Sequence, residues 1–94
     1  MYQEAGVVNL INKLEKKLAS RYTRMFINGR FCFMDPTGKV FSVRQFPGAA
    51  AIVVEYADNC AEAEMNRFED GDRHYISDTD DETLITNILD EIER

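Results

Sequence analysis

The chain has 94 residues, 45% of them hydrophobic and 30% charged, with a formal net charge of −6 and one histidine. That length admits one small domain, residues 1–94, and excludes two full-sized ones; it suffices for a core of one sheet face and a helix or two without a metal or disulfide staple. The longest unbroken apolar run, Ala49 to Val54, is far short of a bilayer span, and the N-terminus lacks the charged-then-apolar pattern of a secretory signal, so a cytoplasmic location with no membrane partner is expected.

In chain order, Val7, Leu10, Ile11, Leu14 and Leu18 recur at steps of three and four, with Glu4, Lys13, Lys16 and Lys17 elsewhere around the wheel. This predicts an amphipathic helix over residues 3–20. From Tyr22 the period changes to two. Asn28-Gly29, set between Met25-Phe26-Ile27 and the run Arg30 to Met34, signals a two-residue hairpin turn. Asp35-Pro36-Thr37-Gly38 signals a type I turn closed by a left-handed glycine, leading into a strand over 39–46. With those turns Phe26 faces Phe31 and Phe33 faces Phe41. Phe26, Phe31, Phe33, Phe41 and Val43 are therefore expected on one buried sheet face, against Leu14, Leu18, Leu84, Ile88 and Ile92. The opposite face would carry Met25, Ile27, Cys32, Met34, Val40 and Arg44.

Beyond Phe46-Pro47-Gly48, the β-branched run from Ala51 to Tyr56 predicts a fourth, buried strand. Asp58 or Asn59 can cap a short helix with Ala61, Met65 and Phe68 on one side, ending near Gly71. Arg73 to Ser77 offers a short strand. Thr79 and Glu82 have capping-box spacing before Leu84, Ile85, Ile88, Leu89 and Ile92, which predicts a helix over 80–93. The expected fold is α+β: a single small domain with an antiparallel β-meander of three to four strands packed against N- and C-terminal helices.

The charge is divided unevenly. Residues 1–47 carry eight Lys/Arg and three Asp/Glu, whereas residues 48–94 carry three and fourteen. Either the halves neutralise each other in the fold, or the acidic half meets a basic partner, or the basic half meets an anion. Arg21, Arg24, Arg30, Lys39 and Arg44 interleave with Tyr22 and the phenylalanines as in single-strand-binding sheets, but the alternation assigns the rings to the core and the acidic balance disfavours nucleic acid.

Catalytic and cofactor chemistry finds little support in the residue pattern. A lone histidine, His74, restricts acid–base and nucleophilic schemes, and it reads as an edge or surface residue. Cys32 and Cys60 have no metal-ligand spacing and are expected as two reduced thiols. The acidic stretch fails the calcium-loop pattern, because taking Gly71 as the turn glycine puts Phe68 and Ser77 at ligand positions, and starting at Asp78 puts Thr83 where glycine is demanded. The five glycines form no phosphate loop. No catalytic residue, metal or cofactor is assigned.

Glu55-Tyr56-Ala57, the run Asn66 to Asp72 and the terminal Ile88 to Arg94 resemble short acidic proteins of bacterial genomes to which no function is assigned; the resemblance covers the second half only and implies no chemistry. Two candidate interaction surfaces remain. One is the acidic set Glu62, Glu64, Glu69, Asp70, Asp72, Asp78, Asp80 and Asp81. The other is the apolar back face of Met25, Ile27, Met34, Val40 and Phe46, too apolar to be left bare and therefore expected to self-associate or meet a partner. The reading that follows is a non-enzymatic protein-interaction or regulatory domain whose partner is itself or a basic protein. The alternatives are an immunity- or inhibitor-type acidic protein, and a small-ligand-binding or weakly catalytic domain using the second sheet face.

Overall fold

The computed structural model describes residues 4–46, 48, 50–76 and 79–94. Helix α1 spans Glu4–Ala19, with Lys16 and Lys17 in its last turn opposing the negative helix end. It closes where the N–H groups of Arg21 and Tyr22 both bond to the carbonyl of Leu18. Strands β1 (Thr23–Ile27) and β2 (Arg30–Met34) follow. Their turn places Asn28 at φ 50° and Gly29 at φ 83°, the two left-handed residues of a type I′ hairpin. In the next turn the Gly38 N–H bonds to the Asp35 carbonyl at 3.0 Å, and Gly38 has φ 93°, as Asp-Pro-Thr-Gly predicts. The Asp35 carboxylate accepts the N–H groups of Thr37 and Lys39.

Strands β3 (Val40–Gln45) and β4 (Ala51–Ala57) complete the central sheet. Helix α2 (Cys60–Glu64), strand β5 (Glu69–Tyr75) and helix α3 (Asp81–Glu93) end the chain. The sheet runs β1-β2-β3-β4-β5, antiparallel throughout. The α+β meander is thus present with five strands rather than three to four. No helix among the described residues is long and apolar enough to cross a membrane.

The expected short strand is present from Arg73 to Tyr75 as the end of β5, which pairs with β4; the main departure from expectation is that it begins as early as Glu69, and the cause is local. Helix α2 stops at Glu64 because Asn66 takes the left-handed position at φ 58°. The N–H of Arg67 reaches the carbonyl of Glu62 and that of Asn66 reaches Ala63, the paired bonds of a Schellman ending. Asn66 does what was expected of Gly71, freeing Glu69 to Asp72 to pair with β4. At the far end of the chain Asp80, not Thr79, caps α3, its carboxylate accepting the Thr83 N–H at 2.8 Å. Ser77, the last residue of the expected 73–77 strand, lies outside the described residues.

The two faces of the sheet pack differently. On one, Phe33, Phe41, Val43, Ile52 and Val54 meet Leu10, Leu14 and Leu18 of α1 and Leu84, Ile85 and Ile88 of α3. On the other, Ile27, Cys32, Val40 and Ala57 pack under Ala63 of α2, with Met25, Met34, Cys60 and Phe68 at the margin. The expected five-residue buried face holds for Phe33, Phe41 and Val43 and fails for Phe26 and Phe31, which are 63% and 40% exposed. The helical layer accounts for this: α1 crosses β1 and β3 and α3 lies on β5, so the end of the β1–β2 hairpin projects beyond it.

Removing the Phe33 ring should cost about 3 to 5 kcal/mol, whereas Phe26→Ala should stay within about 0.5 kcal/mol. Urea denaturation of the two variants checks this; comparable losses would contradict the packing described.

Candidate functional site

Most of the expected acidic surface is tied into the fold. Glu62 pairs with Arg67, Asp70 with Arg44, Asp72 with Arg94 and Asp81 with Lys13, while Asp80 caps α3. Glu64 and Glu69 are exposed and form no ion pair among the described residues; Asp78 lies outside them. Two of these pairs, Asp70 with Arg44 and Asp81 with Lys13, join the basic half of the chain to the acidic half, as do Arg21 with Glu93 and Arg30 with Glu55. Exposed pairs of this kind contribute about 0 to 1 kcal/mol each.

Glu55 is different because it is buried. It lies directly across from Asp70 on β5, a like-charge opposition that would be destabilising alone. Arg44 resolves it, with Nε 2.7 Å from Glu55 and a terminal nitrogen 3.6 Å from Asp70, and Arg30 adds a second contact to Glu55 at 2.6 Å. Burial raises the Glu55 pKa, but the hydrogen bonds and charges of Arg44 and Arg30 outweigh it and hold the carboxyl below its ordinary 4.5. A depressed carboxylate stabilises the fold above its unfolded pKa, and that contribution is lost as pH falls through the folded value. Glu55→Gln should therefore lose about 1.5 to 3 kcal/mol at neutral pH and flatten the decline of stability on the acid side. A variant as stable and as acid-sensitive as the parent would contradict this.

A second polar cluster was not expected from the sequence. Glu91 of α3 is turned into the protein, where it accepts the Tyr56 hydroxyl at 2.5 Å and the Asp72 N–H at 3.2 Å and lies 2.6 Å from His74 Nε2. His74 is on an edge strand as expected, but its side chain is only 11% exposed. Burial, then the hydrogen bond to and charge of Glu91, push the Tyr56 phenol above its ordinary pKa of 10, so it stays a donor. A cavity of about 280 Å³ beside the cluster is lined in part by Lys39, Tyr56, Asp72 and Arg94. Both carboxylate oxygens of Glu91 already have protein partners, and the cluster works as a pin between α3, β4 and β5. Gly71 makes room for it: a Cβ there would run into the Glu91 carboxylate and lie 2.8 Å from the Tyr56 ring and 3.1 Å from the Val54 carbonyl. Gly71→Ala should cost about 1 to 3 kcal/mol, by overpacking, and thermal unfolding reads it; a neutral substitution would mean the pin is loose.

The back face is not bare, so the premise on which a partner was expected there, an apolar face left uncovered, does not hold. Ile27 and Val40 are buried in the cluster capped by Ala63, and Met25 and Met34 are half-buried at its edge beside Cys60. Phe46 sits apart, its ring covered by the Arg73 guanidinium at 3.9 Å. Cys32 and Cys60 are both free. Among the described residues no group of three His, Cys, Asp or Glu converges to hold a metal, and no buried side-chain nitrogen or oxygen lacks a hydrogen-bond partner.

What is left open is the other side of the hairpin. Phe26 and Phe31 meet edge to face at 5.2 Å, and the Arg24 guanidinium lies 4.1 Å from the centre of the Phe31 ring. Between this aromatic pair and α1 runs a groove of about 390 Å³, floored by Phe31 and Phe33 and walled by Glu15, Lys16, Ala19 and Arg24. Burial raises the Glu15 pKa and the charge of Arg24 partly offsets it. The outermost strand beside the groove is β1, which pairs on one side only. A type I′ turn bonds Ile27 to Arg30. By antiparallel alternation from that pair, Met25 and Thr23 direct their backbone groups at β2, and Arg24 and Phe26 direct theirs outward.

The two sheet edges differ in chemistry. Strand β5 carries Glu69, Asp70, Asp72 and Arg73 and an irregular register opposite Val53 to Glu55, the charges and bulge with which proteins block edge pairing. Strand β1 reads Thr-Arg-Met-Phe-Ile, with one charge, no proline and no irregularity in its register with β2. The sequence pairs Phe26 with Phe31 correctly but gives no sign that both rings escape the helices. No protein-family model, no curated protein and no solved structure matches the chain.

Proposed function

We propose that this is a non-enzymatic protein-interaction domain that takes up an extended partner segment along β1. The observation that carries this reading is the open β1 edge with Phe26 and Phe31 exposed beside it. A segment added there would form main-chain hydrogen bonds with Arg24 and Phe26, and its alternate side chains would fall on the aromatic pair and into the groove toward α1, the division of affinity and specificity typical of strand addition. Two further features favour binding over catalysis: the Glu91 carboxylate is engaged by protein partners, and the acidic side chains are largely ion-paired or capping, which weakens the reading of an acidic surface offered to a basic partner. A cytoplasmic setting fits the two free thiols.

Selection of random extended peptides against the immobilised protein tests the proposal. Enriched sequences should alternate apolar residues, shift the backbone resonances of β1 in NMR titrations, and lose binding at least about tenfold on Phe26→Ser, equivalent to about 1.4 kcal/mol. Binders that map to β5 or to the α2 face and ignore Phe26→Ser would overturn it.

A further inference from the structure

We infer that the segment taken up along β1 is the β1 strand of a second copy of this chain, joined antiparallel about a twofold axis at Met25; this rests on the edge reading above. The argument is one of register. Because Arg24 and Phe26 present the outward backbone groups, an antiparallel pairing of two β1 strands can be centred at Arg24, Met25 or Phe26. Centring at Arg24 sets two guanidinium groups directly opposite each other, a destabilising like-charge pair. Centring at Phe26 runs Arg24 past the strand end to face Asn28 of the turn. Centring at Met25 alone keeps all five residues of both strands paired and sets Arg24 opposite Phe26 of the second copy, twice.

In that register each Arg24–Phe26 pair exchanges both backbone hydrogen bonds, and each guanidinium, already over its own Phe31, approaches a second ring face, a favourable cation–π contact. Phe26, the most exposed large apolar side chain among the described residues, is covered by the same step. The interface is isologous, the commonest symmetry of soluble oligomers. It joins two five-stranded sheets into one of ten strands, leaving only the charged β5 edges outermost.

Sedimentation equilibrium of the full chain from about 10 to about 300 µM is the first test, with a dimer expected. Arg24→Pro removes an outward N–H, where an edge strand tolerates proline, and should weaken the dimer more than about tenfold while the far-UV circular dichroism stays that of the parent. Register is read separately. With Cys32→Ala and Cys60→Ser present, Met25→Cys should oxidise rapidly to a disulfide-linked dimer, because the two Met25 positions form a close non-hydrogen-bonded pair, and Thr23→Cys, which faces Ile27 of the second copy, should not. A monomer throughout the concentration range, or a dimer that survives Arg24→Pro or links as readily through Thr23→Cys as through Met25→Cys, overturns the inference. A monomer that still binds selected peptides along β1 overturns only the second copy as occupant, and one whose selected peptides ignore β1 overturns the edge reading itself.

Discussion

An open β-sheet ends in two strands whose outward N–H and C=O groups have no partner, and each end must be blocked, covered or used. In this chain the five-stranded meander ends in β1 and β5, and the two ends are treated in opposite ways. Strand β5 is crowded with acidic side chains, displaced in register, and held from the side by the Glu91 pin. Strand β1 is short, regular and β-prone. The rest of the surface follows from this asymmetry, because α1 crosses β1 and β3 and α3 lies on β5, and together they leave the turn end of the β1–β2 hairpin uncovered.

The charge division takes on a structural meaning in the same frame. The acidic second half supplies Glu55, Asp70 and Glu93, and the basic first half supplies the arginines that bind them. Most of the pairs are exposed and contribute little individually. Glu55 with Arg30 and Arg44 is the buried case, and with Asp70 it ties β2, β3, β4 and β5 together across the back of the sheet. Arg24 stands outside that network; its contact is with an aromatic face at the open edge.

Much of this was legible in the sequence. Periodicity places α1 and α3 to within a residue at each end, and Asn28-Gly29 and Asp35-Pro36-Thr37-Gly38 specify both turns and hence the Phe26–Phe31 and Phe33–Phe41 pairings. The Arg73–Tyr75 end of β5 was legible as a short strand, but its start was not, because Glu69-Asp70-Gly71-Asp72 has turn and capping chemistry and only pairing with β4 makes it a strand, a case of tertiary context overriding propensity. Glu91 was hidden for a related reason. It lies seven residues beyond Leu84, within the buried stripe of α3, a position at which a carboxylate is ordinarily assigned to solvent; the spacing was the available signal. The exposure of Phe26 and Phe31 depends on where two helices end over a sheet, which no local pattern encodes.

The central claim, that β1 is the edge this protein uses, is tested most directly by residue-resolved amide hydrogen exchange at low and high protein concentration. The account predicts that the outward amides of Arg24 and Phe26 exchange freely in dilute solution and become protected as concentration rises, while those of β5 do not change. Arg24 and Phe26 amides that exchange freely at every concentration, with new protection appearing on β5 or α2 instead, would contradict it.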